Sequence, residues 1–290
     1  MHFNFFNTPK PPLEFQPPHS LLGFETLEKA ESDRRALVSL LRGGNAAQQR
    51  LAAIISPCQR GARCHSAACP VCGRQFRMRF AGHLAELIAN DDADWWAVTL
   101  VPPDRTYPLG GLRQFSPSQF KDRIRKQLER SVLADAAVVF GIDFAVQIFS
   151  QPNKAPIWRP HVYKLMRGHS TESIHAALDH YYPRGPRTPR PILSRKIDKK
   201  TILAVTSYAF KCQFNIRSHI GGGNHDTHKR PLEPAHLLEI APLLHQWGFS
   251  GRYLLRGFCR TSDRSGKTTL HIDDGISEFV RIATSETEAA

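Results

Sequence analysis

The feature that most constrains this chain is a cluster of cysteines. Four of its six cysteines, Cys58, Cys64, Cys69 and Cys72, fall within fifteen residues. The last two are separated by two residues, the spacing that lets two thiolates reach one tetrahedral zinc ion. Disulfides are rare in the reducing cytoplasm, so this density of cysteine indicates metal binding. We expect a structural zinc site with these four ligands, because a filled tetrahedron leaves no position for substrate. His65 is an alternative donor beside Cys64.

The second feature is a large excess of positive charge. The 290 residues include 39 Lys and Arg against 26 Asp and Glu, which gives a formal net charge of +13. Such an excess indicates a polyanionic partner, for which a nucleic acid is the first expectation. The alternatives are a solvated basic face and, more weakly, an anionic membrane surface. The side chains expected to contact phosphates are Arg74, Arg77, Arg79, Arg184, Arg187, Arg190, Arg195, Lys196, Lys199 and Lys200.

Neither a membrane span nor an export signal is expected from the hydropathy. The most apolar segment, residues 132–149, is interrupted by Asp135 and Asp143, so it does not supply the uniformly apolar stretch that a spanning helix needs. Residues 1–15 mix Asn, Pro, Lys and Phe and lack the apolar block of a secretory signal. We therefore expect a cytoplasmic protein without a membrane partner.

Hydrophobic periodicity and turn residues divide the chain into helices and strands. Apolar residues at every third or fourth position predict helices, and short β-branched runs predict strands. Ser116-Pro117 supplies a cap and a first-turn proline for one of these helices. The expected helices lie within 26–55 as a pair separated by Gly43-Gly44, after Cys72, at 117–132, at 171–182, partly at 203–214 and from 233 onward. The expected strands are 95–101, 138–149, 161–166 and 268–272.

This order of elements predicts the α+β class, with an antiparallel sheet and helices in two layers. The expected divisions are residues 1–57 as an N-terminal arm and helices, 58–90 as a zinc knuckle and basic helix, 91–218 as a catalytic or DNA-binding domain, and 219–290 as a helical C-terminal part with an acidic tail.

A second group of candidate ligands lies on two predicted strands. In Trp158-Arg159-Pro160-His161-Val162-Tyr163, residues His161 and Tyr163 point to the same face of their strand. Two imidazoles so placed would chelate a divalent cation, but a phenol is a poor ligand at neutral pH unless the metal lowers its pKa. Asp143 and Gln147 share a face of the preceding strand, and either is a candidate oxygen ligand. A hydrogen-bonded structural role for His161 is an equal alternative.

The third group is Tyr208 with Lys211, three residues later. A tyrosine beside a lysine can act as a nucleophile towards phosphorus, with the cation assisting ionisation of the phenol. Core packing is the commoner explanation of such a pair, so its meaning depends on the surrounding motifs.

The order of these motifs resembles that of plasmid rolling-circle replication initiators and of single-strand transposases with a His-hydrophobe-His motif. The order begins with the cysteine knuckle and the basic helix and continues through the strands at 96–100 and 141–146. It ends with Trp158-x-Pro160-His161-x-Tyr163 and Tyr208-x-x-Lys211. The resemblance covers about residues 58–214 and rests on motif order.

The resemblance implies a ferredoxin-like sheet with helices on one side and a role in DNA replication on single-stranded DNA. In that family two histidines and a carboxylate or amide hold Mg²⁺ or Mn²⁺, and a tyrosine attacks a phosphodiester to leave a 5′-phosphotyrosine and a free 3′-hydroxyl. His161 matches the first metal histidine, Asp143 the remaining ligand, and Tyr208, with Lys211, the nucleophile region. Tyr163 stands where the family has its second histidine. The expectation is therefore a DNA nickase, with a non-catalytic, zinc-containing nucleic-acid-binding protein as the alternative.

Overall fold

The computed structural model describes residues 24–149, 151, 153–185, 188–219, 227–262 and 268–272. Its helices are α1 (Leu27–Arg42), α2 (Ala46–Ile55), α3 (Pro70–Ala89), α4 (Pro117–Glu129), α5 (Thr171–Leu178), α6 (Ile202–Ala209) and α7 (Pro234–Arg252). Its strands are β1 (Trp95–Leu100), β2 (Tyr107–Pro108), β3 (Val138–Ile148), β4 (Ile157–Arg167), β5 (Ile192–Lys196), β6 (Asn215–His219), β7 (Thr227–Pro231), β8 (Tyr253–Arg256), β9 (Phe258–Ser262) and β10 (Thr268–Ile272).

Local sequence signals account for where several helices begin. The Thr26 side chain caps α1, and Asn45 forms a capping box with Gln48 at the start of α2. Ser116 caps α4, whose first residue is Pro117. The predicted pair of helices within 26–55 and the predicted helix after Ser116 are confirmed.

A curled sheet forms the centre of the molecule. Its strands follow the order β5-β1-β4-β3-β6-β7, with β2 added to β4 and β8 added to β3. Strand β4 runs antiparallel to both β1 and β3, so β1 and β3 are parallel to each other and α4 crosses between them. Helix α5 makes the second crossover, from β4 to β5. The predicted combination of helices and strands is confirmed, and the strands at 95–101, 138–149 and 161–166 lie where β1, β3 and β4 are found. The expected antiparallel sheet is corrected, because β6 pairs with β3 in parallel.

Helices cover both faces of the sheet, which corrects the expectation of helices on one side. On one face α6 approaches β3 so closely that a Cβ at Gly141 would lie 2.3 Å from the carbonyl oxygen of Ala209. On the opposite face Phe144 of β3 packs against Phe115, which in turn contacts Phe120 of α4. We call the face under α6 the α6 face.

The segment after residue 218 contains strands as well as a helix. Helix α7 bends at Gly248, where φ is 63°, and the chain then returns to the main sheet as β8 beside β3. The predicted strand at 268–272 is confirmed as β10, which pairs with β9. The predicted helical C-terminal part with one final strand is thus corrected to a mixed one, because β7, β8 and β9 also lie in it.

Candidate functional site

The four cysteines at 58–72 come together at the start of α3. All four sulphur atoms lie within 4.8 Å of one another, and the Sγ of Cys72 lies 3.5 Å from that of Cys58 and 3.6 Å from that of Cys64. Ligands at about 2.3 Å from a tetrahedral zinc ion are about 3.8 Å apart, so these spacings fit one ion. The four sulphurs can therefore hold one metal ion. His65, the alternative donor, is not part of this group.

Local structure explains how the cysteines converge. Cys69 is the N-cap of α3, and Pro70 occupies its first turn, so Cys72 comes from the first helical turn. A short bridge between Gln59 and Ala62 turns the preceding chain back, and Gly61 within it has a φ of 94° that favours glycine. The positive end of the helix dipole stabilises thiolates at this position.

The thiols of the cluster perturb one another strongly. Hydrogen bonding to Cys69 lowers the pKa of Cys64 far below its ordinary value. Hydrogen bonding to Cys64 raises the pKa of Cys72, and burial adds to that effect. Sulphurs this close cannot all ionise without a cation between them, and a metal ion would provide that charge.

A second cluster lies on the α6 face and joins three of the predicted residues. Asp143 of β3 and His161 of β4 are directly opposed in the register of the two strands. The Nε2 of His161 lies 2.9 Å from Oδ2 of Asp143, and the Nζ of Lys211 lies 2.6 Å from the same oxygen. The other oxygen, Oδ1, accepts a hydrogen bond from the backbone N–H of Phe144. The side chains of this triad are at most 12 % exposed.

Tyr208 extends this cluster towards the surface. Its ring packs edge-on against the ring of Tyr163, with centroids 4.7 Å apart, and the Nζ of Lys211 lies 4.9 Å from its centroid. Tyr208 is half-buried, whereas Tyr163 is buried. The positive charge of the exposed Arg195, on β5, opposes the rise that burial causes in the pKa of Tyr163. The imidazole, the carboxylate, the ammonium and the two phenols therefore lie together beside α6, and we call this group of residues the cleft.

Electrostatics in the cleft keep the carboxylate charged and the inner phenol neutral. Burial alone would raise the pKa of Asp143, but the positive charge of Lys211, with His161, outweighs it and holds this pKa well below its ordinary value. Burial raises the pKa of Tyr163, and Arg195 offsets only part of that effect. Tyr163 is consequently a neutral hydrogen-bonding group at neutral pH.

The residues of the cleft do not fit the divalent ion that the resemblance implies. A divalent ion bound to Oδ2 of Asp143 would have to displace both Nε2 of His161 and the ammonium of Lys211, which already lie within 2.9 Å of that oxygen. Tyr163 is a neutral phenol, and Lys211 already places one positive charge on Asp143. Gln147, the alternative oxygen ligand, accepts a hydrogen bond of 2.9 Å from Arg159. Among the described residues, the four cysteines are the only group of three or more His, Cys, Asp or Glu side chains close enough to share a metal.

The predicted phosphate-binding residues differ in how exposed their side chains are. The prediction for Arg77 is wrong in its placement: the residue is 2 % exposed, with NH1 2.8 Å from Oε2 of Glu25 and Nε donating to the Ser207 carbonyl oxygen. Arg74 and Arg79 are half-buried on the same helix. Arg187 lies outside the described residues. The exposed members are Arg184, Arg190, Arg195, Lys196, Lys199 and Lys200, along and around β5.

The sequence analysis did not single out two basic residues of β4, one on either side of His161. Arg159 bridges Gln147 and Thr188, and its sequence position on the same strand face as His161 was the available signal. Lys164 is fully buried on the opposite sheet face, and its Nζ has no hydrogen-bond partner among the described residues. Nothing in the local sequence distinguishes Lys164 from an exposed strand lysine.

Comparisons with known proteins give no indication of the function. No protein-family model matches this chain, and neither does any curated protein or solved structure. Across the part of the chain that the structure describes, no helix combines the length and the apolar character needed to cross a membrane.

Proposed function

We propose that the protein binds single-stranded DNA and cleaves it through Tyr208, as a replication initiator or transposase-like protein. The observation that carries this proposal is the convergence of Tyr208, Lys211, His161 and Asp143 in one cleft beside an exposed basic strand. Asp143, His161 and Tyr208 come from three separate elements, β3, β4 and α6, and Lys211 follows the end of α6. Core packing alone does not require a charged triad under a half-exposed phenol.

The arrangement of the sheet supports the proposal. Two strand-helix-strand crossovers give the order β5-β1-β4-β3, which is the order of a ferredoxin-like sheet. His161 lies on the inner strand β4, and Tyr208 lies on the helix that covers the same face. We propose that this sheet is a ferredoxin-like core enlarged by β6, β7 and β8 and by the helices on its second face.

The charge of the surface favours a nucleic acid strand near the cleft. β5 is an edge strand of the sheet, and the charge of its exposed Arg195 acts on the pKa of Tyr163. Lys199 and Lys200 follow before α6. A single strand laid along this edge would bring its phosphates to these cations and one phosphate to Tyr208. The half-exposed ring of Tyr208 is a surface on which an unpaired base can stack.

We assign zinc to the four-cysteine site and a structural role to it. Four thiolates are a closed donor set for this metal, and their position fixes the start of α3 against the loop before it. Because zinc thiolate sites of this kind form in a reducing compartment, the cytoplasm is the expected location.

The chemical step needs only groups of this chain and the DNA. The phenol oxygen of Tyr208 attacks a backbone phosphorus, and the bond from that phosphorus to the 3′ oxygen breaks. The products are a 5′-phosphotyrosine and a 3′-hydroxyl, so the proton lost by the phenol is balanced by the proton gained by the leaving oxygen. The ammonium of Lys211 lies 4.9 Å from the centroid of the Tyr208 ring and would stabilise the charge that develops on the phosphate oxygens.

The test is a search for the covalent intermediate. The protein is incubated with an end-labelled pool of random single-stranded oligonucleotides and analysed on a denaturing gel. An adduct that resists denaturant is expected, and Tyr208→Phe should abolish it while leaving DNA binding nearly unchanged. Tyr181→Phe, a half-buried tyrosine outside the cleft, is the matched control and should keep the adduct.

The second candidate is a non-catalytic, zinc-containing nucleic-acid-binding protein. The specific observation in its favour is Tyr163, a neutral phenol where the resemblance calls for a metal histidine. This candidate predicts salt-sensitive DNA binding with no adduct under any condition, and that pair of results would replace the nickase proposal.

A further inference from the structure

The position of Lys211 has a consequence for the proposed cleavage reaction. Its Nζ contacts the Asp143 carboxylate at 2.6 Å and lies 4.9 Å from the ring centroid of Tyr208, so it stands between the carboxylate and the phenol. Asp143 supplies the carboxylate of the cleft, and the oxygen that Lys211 contacts is also the one that His161 contacts. A divalent ion bound to that oxygen would be placed next to an ammonium and would be repelled by it.

We propose that Lys211 takes the place of a catalytic divalent cation, so that DNA cleavage through Tyr208 is metal-independent. This inference rests on the proposed function and specifies which group supplies the positive charge that the cleavage reaction needs. An ammonium has three donors, and the ion pair with Asp143 uses one of them, which leaves donors for a phosphate oxygen. The side chain is 12 % exposed, so its ammonium is only partly hydrated.

The surrounding residues then act on Lys211 rather than on a metal. Asp143 fixes the direction of the ammonium, and His161 holds Asp143 from the other side, so both are positioning residues. During the reaction Lys211 keeps its proton and neutralises one negative charge of the phosphorane. The bond that forms joins the phenol oxygen to phosphorus, the bond that breaks joins phosphorus to the 3′ oxygen, and no other reactant is needed.

The first arm of the test measures adduct formation in buffer freed of divalent ions by resin, with the metal of the cysteine site left in place. The rate is expected to be the same with and without added Mg²⁺ or Mn²⁺. Lys211→Met should lower it by about 100-fold or more, the effect of removing one electrostatic group from a phosphate or oxyanion site. Lys211→Arg should retain part of the activity, and Lys126→Met, an exposed lysine of α4, should retain all of it.

The second arm measures Mn²⁺ binding itself by electron paramagnetic resonance, without DNA. Wild-type protein is expected to bind no Mn²⁺ in the cleft, and Lys211→Met is expected to bind it more tightly than wild type. A wild-type Mn²⁺ site lost in Asp143→Asn, or an adduct that forms only with added metal, would overturn the metal-independent scheme and leave Tyr208 cleavage standing. Absence of any adduct in both buffers would instead overturn the cleavage proposal, while the Mn²⁺ measurement still decides the occupancy of the cleft.

Discussion

The burial of Lys164 predicts an unusual dependence of stability on pH. Lys164 lies in β4 with Val98 and Phe140 beside it on the neighbouring strands, and all three are 0 % exposed. Burial lowers the pKa of Lys164 from 10.5 to about 7. The unfolded chain keeps the ordinary value, so between these two pKa values the unfolded state binds a proton that the folded state does not. The free energy of unfolding therefore falls as the pH falls from about 10 to 7. Below pH 7 the folded protein bears the full free-energy cost of burying the charged ammonium.

The size of the effect follows from the gap between the two pKa values. One pKa unit is about 1.4 kcal/mol, so the buried charge costs about 5 kcal/mol below pH 7 and about 2 kcal/mol at pH 9. Lys164→Met removes the charge and nearly keeps the volume, and it should raise the free energy of unfolding by these amounts. Urea denaturation at pH 6 and pH 9, followed by circular dichroism, measures the difference.

The matched control for this prediction is Lys126→Met, which changes an exposed lysine and should leave stability unchanged at both pH values. An equal gain for Lys164→Met at pH 6 and pH 9 would show that the charge is not the cause. A loss of stability would show that the ammonium has a partner and that the reasoning from burial is wrong.

Three further predictions concern the metal site, the core of the N-terminal helices and the basic edge. Cys72→Ser should remove the bound metal, measured by elemental analysis of the purified protein, and lower the melting temperature, whereas Cys212→Ser should retain the metal. Removing one partner of a buried ion pair costs about 3 to 5 kcal/mol, so Glu25→Ala should destabilise the protein by that amount, and a joint change of Glu25 and Arg77 to apolar residues should recover much of it in urea titrations. Neutralising Lys199 and Lys200 should reduce the slope of log affinity against log salt by about 0.7 for each lost phosphate contact with single-stranded DNA, and an unchanged slope would exclude them from the interface.

The parts of the fold that rest on local chemistry could be predicted from the sequence. The two-residue spacing before Cys72 and the cap at Ser116 determine structure within a few residues, and both are found as expected. Strand alternation also placed His161 and Tyr163 on one face. The pairing of Asp143 with His161 depends on the register between two strands, which the pattern of either strand alone does not determine.

The burial of Arg77 shows why the hydrophobic pattern of one helix does not determine which of its sides is exposed. The apolar stripe of α3 predicted one buried side and one basic exposed side. In the structure α3 packs against both α1 and α6, so its second side is also covered. Gly73, Ala81 and Gly82 are buried on this helix. Small residues permit close helix packing, so they were the signal that a second helix approaches.

The close approach of α6 to β3 explains how the cleft forms, and this approach is possible only because residue 141 is a glycine. Glycine in the interior of a strand marks a place where another backbone comes near, and here that backbone is the end of α6, one residue after Tyr208.

Gly141→Ala would force α6 away from the sheet, because the new Cβ would lie 2.3 Å from the Ala209 oxygen. Overpacking of this kind costs about 1 to 3 kcal/mol. It should also separate Tyr208 and Lys211 from Asp143, so adduct formation should fall far more than DNA binding at β5. Gly43→Ala, whose new Cβ would lie at an ordinary 3.6 Å from the Leu40 carbonyl oxygen, should change neither. If Gly141→Ala kept full adduct formation, the geometry of the cleft could not be what carries the reaction.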